Sequence, residues 1–297
     1  MSASVLFDQP GPRALVRNRI ITVAFVLVLL VIAYFIYAGF DAKGQWAGAL
    51  WAPFLAGSTW TAFLLPGLVA TIEAALISVV IALPIGALLG IGRLSQHAWI
   101  SRPCGVIVEF FRAIPVLLLM VFAAELYSSY TDIDSEIRPL FAVVTGLVLY
   151  NGSVLAEIVR SGILSLPRGQ GEASDALGFS KGQTMRLVLL PQAVTLMLPA
   201  IVSQLVVVLK DTALGGQLTV GYTELIRASG GITGNFANNI PTLIVLAILF
   251  IIMNFALTSL ASALQRRLSR SRRTPPGATA VALPGQPGAA DDQLAKV

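Results

Sequence analysis

The chain alternates between long apolar runs and short polar segments. A membrane-crossing helix needs about 20 mainly apolar residues at about 1.5 Å rise each. Ile20–Phe40 meets this with twenty-one uncharged residues. Further runs at Pro66–Ile91, Ala113–Tyr130, Pro139–Val159, Pro191–Leu209 and Ile240–Leu264 bring the expected number of spans to six. Arg13, Arg17 and Arg19 precede the first run, as in a signal peptide. However, the run exceeds a typical signal core and ends in Tyr34, Phe35 and Tyr37 rather than at a small-residue cleavage site, which predicts a retained helix over 20–40.

Composition supports the same division. Of 297 residues, 56% are apolar and 12% charged, with a mean hydropathy of +0.81. Soluble domains carry about 45–50% and about 25%. This argues against a soluble enzyme or a nucleic-acid-binding protein, although the isoelectric point is about 9.7. One cysteine, Cys104, excludes an internal disulfide framework and reads as inert packing; one histidine, His97, removes the usual zinc sets and reads as a surface residue.

The net charge of +5 is therefore read as topology. With a cytoplasmic N-terminus, sixteen of the twenty Lys and Arg fall on the cytoplasmic side, and Lys43, Arg138, Lys210 and Arg227 are the four outside. Both termini are then cytoplasmic. Trp46, Trp51 and Trp60 suit an outer interfacial belt. Residues 1–19 read as a cytoplasmic N-terminal segment and 60–266 as the core. The Pro/Gly/Ala-rich stretch 274–297 reads as a disordered cytoplasmic tail.

Between the fourth and fifth spans lies a polar stretch, 161–190, with ordered helix punctuation. Pro167 and the Gly169–Gly171 pair interrupt the helix leaving the membrane. A short helix is expected near Glu172, and Gly178 stands where a left-handed C-terminal cap is needed. Ser180 with Gln183 three residues later forms a capping-box pattern for a second helix, and Pro191 marks the next span. The spacing predicts a rigid helix–Gly–helix elbow; the plainer alternative is an amphipathic surface loop.

The elbow's residues carry a resemblance. Glu172-Ala173-Ser174, Gly178 and Val188-x-Leu190-Pro191 resemble the EAA loop of ABC-importer permeases. Asn151 to Ile163, Pro167-x-Gly169-Gln170, Pro191-Gln192-Ala193 and Leu209-Lys210-Asp211-Thr212 resemble the polar amino-acid subfamily. The match spans roughly 66–265. Ser174 replaces the usual third alanine, Val154 a common tyrosine and Ala213 a common serine. The wording from Tyr150 to Glu157 is similar to permeases of glutamate importers from Gram-positive bacteria.

The resemblance implies an all-α polytopic membrane protein, a type I importer permease with a five-helix core plus one N-terminal helix. It implies a cell-membrane subunit importing a polar amino acid, glutamate first among them, by alternating access. It also implies a cytosolic ABC ATPase dimer, a second permease chain, identical or related, and an extracytoplasmic substrate-binding protein. ATPase coupling would fall to Arg168, Gln170, Glu172, Ala173, Ser174, Gly178 and Ser180. The chain has no Gly-x-x-x-x-Gly-Lys-Ser/Thr loop, so no bound cofactor and no catalytic or metal-ligating residue is expected, ATP being held by the partner.

Polar residues within the spans are costly and usually face a bundle interior. Glu73, Asn151 and Gln204 are pathway candidates, with helix–helix hydrogen bonding as the competing role. Lys210, Asp211 and Thr212 join them, Lys210 as an attractor of anionic cargo or alternatively as half of a Lys–Asp pair. Glu157 and Arg160, three apart, are expected to form an ion pair at the elbow's root. Glu109 and Arg112 share one face of a surface helix leading into Pro115. An ion-coupled transporter or channel without an ATPase, using Glu73 and Glu125, is the alternative reading.

Overall fold

The computed structural model describes residues 11–218 and 221–270. The proposed tail at 274–297 and the first ten residues lie outside them. Among the described residues the chain is helical, without strands. Helix α1 is Pro12–Ala42. After short turns at Gly48–Trp51 and Ala52–Leu55 come α2 (Gly57–Gly92), α3 (Ala98–Ala113), α4 (Val116–Tyr130) and α5 (Arg138–Leu164). Then follow α6 (Gly169–Ala176), α7 (Lys181–Gln217), α8 (Leu225–Phe236) and α9 (Asn239–Arg270). Helices α1, α2, α5, α7 and α9 are long and apolar enough to cross a membrane, and the α3–α4 pair makes a sixth crossing when taken as one broken span.

Several boundaries differ from those read in the sequence. Helix α1 begins at Pro12 rather than Ile20, because Pro at the first helical position is preorganised and Arg13–Arg19 are competent helix formers. The third span is not one helix from Ala113. Pro115 disfavours helical backbone at Ile114, which adopts φ −92°, ψ 130°, and α3 meets α4 at 99°.

The helix of the fifth span does not start afresh at Pro191 but is continuous from the capped start of the second elbow helix at Lys181, with a π-helical stretch at Thr184–Leu189. Helix α2 has another at Trp60–Leu64. Each ends two residues before a proline, Pro191 or Pro66, whose missing N–H and ring displace the carbonyl four residues back. The widened turn absorbs that conflict without breaking the helix.

The centre of the fold is the α2–α5 contact. From Leu65 to Gly92 the buried positions on α2 are all small: Gly67, Thr71, Ala74, Ala75, Ser78, Ala82, Gly86 and Gly90. Its large residues face outward, Val69, Leu76 and Val80 among them. Lipid is as apolar as leucine, so helices in a bilayer associate by close backbone approach rather than by burying bulk. A methyl at position 86 would stand 2.6 Å from Leu155 Cβ, and one at position 90 would stand 2.5 Å from the Ala156 carbonyl oxygen. Around this seam, one buried cluster centres on Met120, Val143, Leu147 and Val208. A second, on Leu64, Leu225, Ile232 and Leu246, fills the end away from the elbow, and a third, on Val159, Ile163 and Met197, lies near the elbow.

Helix α1 buries no residue. Between Ile20 and Phe40 it is apolar on every side, as a lipid-surrounded helix is. Its end is fastened by Trp46, which stacks on Tyr37 and Trp51 and donates its indole N–H to the Tyr37 carbonyl at 3.2 Å.

Candidate functional site

The elbow is α6, its turn and the start of α7. Helix α6 begins at Gly169, three residues before the expected start, placing Glu172 in its first turn, where an acid suits the helix dipole. It ends in a Schellman turn: Phe179 N–H donates to the Ser174 carbonyl and Gly178 N–H to the Asp175 carbonyl, both at 3.0 Å. Gly178 has φ +73°, as the turn requires. The Ser180–Gln183 capping box is present in both directions. Across the turn, Lys181 Nζ contacts both carboxylate oxygens of Asp175, at 2.8 and 2.6 Å.

Glu172, Ala173 and Arg168 are exposed. Ser174 is buried, its hydroxyl donating to the Gln170 carbonyl at 2.8 Å. That serine is accommodated where alanine is usual, because its one polar group is satisfied within the helix. Gln170 also accepts from the Gln192 amide at 3.4 Å, tying α6 to α7. The result is a stiff projection with an exposed tip that includes Leu177, 75% exposed.

At the elbow's root, Glu157 is the hub of an ion network. Its Oε1 accepts from Arg160 at 3.1 Å, as the three-residue spacing indicates. Its shortest contact is Arg93 at 2.6 Å, and Arg112 lies at 3.7 Å. Glu109 pairs with Arg93 at 3.1 Å rather than with its helix neighbour Arg112. The network joins the ends of α2 and α3 to the α5 turn from which the elbow departs.

Above this root, α5 and α7 share a polar contact. Gln204 Nε2 donates to Asn151 Oδ1 at 2.6 Å, while Asn151 Nδ2 donates to the Leu147 carbonyl at 3.0 Å. Asn151 is fully buried, and the bond joins the two pathway candidates across the α5–α7 contact, the competing role for these side chains. Thr212 is buried, and its hydroxyl donates to the Leu209 carbonyl at 2.7 Å. The alternative Lys210–Asp211 pair does not form; Lys210 is exposed, and neither makes an ion pair among the described residues.

Asp211 instead faces an open cavity of about 440 Å³ with Arg112 and Tyr150, beside the α3–α4 break at Ile114–Val116. Arg112 and Tyr150 were absent from the pathway candidates. Arg112 lies three residues before Pro115, whose helix-breaking effect was a usable signal, but that Arg112 and Asp211 line one cavity is a tertiary fact. Glu73 lies on the exposed face of α2, with Val69, Leu76 and Val80. A charge on the outer face of a span is unfavourable against lipid, so this face suits a partner or a hydrated pathway.

Helix α7 ends in a tight 3-10 turn at Thr212–Gln217, and α8 runs Leu225–Phe236. Tyr222 is buried and donates to the Ala70 carbonyl at 2.6 Å. Buried Glu224 caps α8, accepting from the backbone N–H groups of Ile226 and Arg227, each at 2.7 Å. Burial pushes its carboxyl up to about 7 against the lowering effect of those bonds and the Arg227 charge. Arg227 donates to the carbonyls of Gly216 and Leu218, latching the tight turn to α8.

The model for the family described as binding-protein-dependent transport system inner membrane component matches residues 82–270. The chain belongs to this family. The matched range takes in the elbow-side part of the α2–α5 seam from Ala82, the ion hub, the elbow and the cavity wall. Among curated relatives, the permease is 48% identical over 230 residues to the glutamate transport system permease protein GluD of Corynebacterium glutamicum, covering 77% of this chain and 84% of that one. It is 32% identical to the probable glutamine ABC transporter permease protein GlnP of Bacillus subtilis, covering 69% and 94%. Among solved structures, the crystal structure of an amino acid ABC transporter with histidines aligns with a TM-score of 0.62 at 26% identity, over 72% of this permease and 98% of that chain. The protein is thus a multi-pass membrane permease of a binding-protein-dependent transport system.

Proposed function

We propose that this permease carries a polar amino acid, with glutamate as the leading cargo, into the cell, driven by ATP hydrolysis on a separate cytosolic ATPase. The observation that carries the cargo assignment is the 48% identity to a glutamate transport permease across 84% of its length. The Arg112–Tyr150–Asp211 cavity supports it: a guanidinium and a carboxylate in one cavity suit the α-carboxylate and α-ammonium of a zwitterion. Glu73 and Lys210 are the further pathway residues in this reading. The elbow end faces the cytoplasm, as the positive charge bias indicates, and both termini lie there. A second permease copy or a related chain completes the pathway, and a secreted binding protein delivers cargo.

Alternating access then has a physical route. Closure of the ATPase pair moves the elbow tip at Glu172–Ala173 with Arg168 nearby. The Schellman turn and the Asp175–Lys181 contact keep the elbow stiff, and the Glu157 hub passes its motion to α2, α3 and the cavity-lining Arg112. Reconstitution with the partner ATPase and binding protein in proteoliposomes tests this. Labelled glutamate uptake should require ATP, survive a proton ionophore, and fall at least about tenfold in Arg112→Gln and Asp211→Asn. Uptake driven by a proton gradient without the ATPase would instead favour an ion-coupled carrier.

A further inference from the structure

We propose that the pocket between the α2–α3 loop and the start of α7 binds an anionic phospholipid of the elbow-side leaflet, headgroup at Lys181 and His97, acyl chain along Leu88. The pocket measures about 450 Å³ and is chemically divided. Leu88 and Ile91, from the last turns of α2, line its apolar end with Ile100 and Met185. Leu88 is 72% exposed on a membrane-crossing helix, so this end opens toward hydrocarbon. His97 and Lys181 line the polar end.

The polar end has donors to spare. Two of the three ammonium hydrogens of Lys181 serve the two Asp175 oxygens, leaving one. The capping box uses the Ser180 and Gln183 N–H groups, whereas those of Lys181 and Gly182 make no hydrogen bond among the described residues. They open the long helix α7, whose positive end favours an anion. His97 adds a ring nitrogen, its backbone held by an N–H bond to Ser95 Oγ at 3.2 Å.

Trp99, 76% exposed two residues beyond His97, marks the depth at which headgroups lie. A cation, free N–H groups and an apolar slot at that depth match a phosphodiester with its proximal acyl chain. A basic pocket between helices on the positively biased side is where such lipids bind. Because Lys181 also braces the elbow through Asp175, an occupied pocket adds a second anion to that brace.

Native mass spectrometry of the full chain tests the proposal, with dioleoyl phosphatidylglycerol or dioleoyl phosphatidylcholine added in equal amounts. Wild type should retain one phosphatidylglycerol at activation energies that strip phosphatidylcholine. The Lys181→Gln/His97→Gln variant should retain about fivefold less. Ile100→Trp fills the apolar end without touching Lys181 or Asp175, and should lower retention as well. Its thermal midpoint, matched to wild type, separates a filled pocket from a misfolded chain.

Excess inorganic phosphate should leave the lipid bound; displacement by phosphate would reassign the polar end to a free anion. Equal retention of both lipids, or unchanged retention in both variants, overturns the proposal. Protection of Lys181 from amine labelling by the partner ATPase but not by phosphatidylglycerol overturns it in favour of a protein contact.

Discussion

Glu157 Oε2 stands 2.6 Å from Arg93 Nη1, a contact that pins the helix bearing the elbow to the elbow-side end of the helix it packs against most closely. The Arg93 side chain is 13% exposed and Glu157 30% exposed, so neither is fully screened by solvent. Replacing Glu157 by Gln leaves Arg93 with the exposed Glu109 alone and removes the anionic partner of Arg160. Thermal unfolding in detergent should show a loss of about 1–3 kcal/mol, below the range for a fully buried broken pair. Arg93→Gln in the Glu157→Gln background should recover part of that loss. Strict additivity of the two would show that the contact carries no coupling.

Gly178, at φ +73°, supports a turn on which the elbow's stiffness depends. A β-branched side chain there costs roughly 1–2 kcal/mol. Gly178→Val should lower ATP-driven uptake in proteoliposomes severalfold while leaving membrane insertion and the ATPase's own hydrolysis in place. Glu172→Lys, on the exposed first turn of α6, should uncouple the two activities in the same way without destabilising the fold. Normal uptake by both would remove the elbow from the coupling path.

The Asn151–Gln204 bond sets another expectation. If these side chains join helices, Asn151→Ala and Gln204→Ala should each destabilise the permease, and the double variant should cost less than their sum by about 1 kcal/mol. Their effect on the KM for cargo should be small. A large KM change with unaltered stability would return both residues to the pathway.

Glu224 predicts a pH dependence. Its carboxyl, near 4.5 when the segment is open, is raised to about 7 in the folded latch. The folded state therefore retains a proton that the open state releases. The latch is firmest below about pH 4.5 and loosens as pH rises from there to about 7, with no further change above. Amide exchange at Leu225–Ala228, corrected for its intrinsic pH dependence, should report more frequent opening at pH 8 than at pH 5. Glu224→Gln should flatten that difference.

What the sequence determined is local in physical origin. Apolar runs of membrane length, the Gly178 turn, the Ser180–Gln183 cap and the Glu157–Arg160 pair all depend on residues within one helix or one turn. Spacing alone specifies such interactions.

Tertiary structure decided which distant groups meet. Arg93 and Glu157 are 64 residues apart, and Asn151 and Gln204 are 53 apart. Which partner each takes depends on how α2, α5 and α7 rotate about the glycine seam. The same packing paired Asn151 with Gln204, buried Thr212, and brought Arg112, beside the Pro115 break, and Asp211 to the wall of one cavity. A polar side chain in a span must find a partner or a cavity. Its own neighbourhood in the chain states that need, and only the assembled bundle states which of the two it finds.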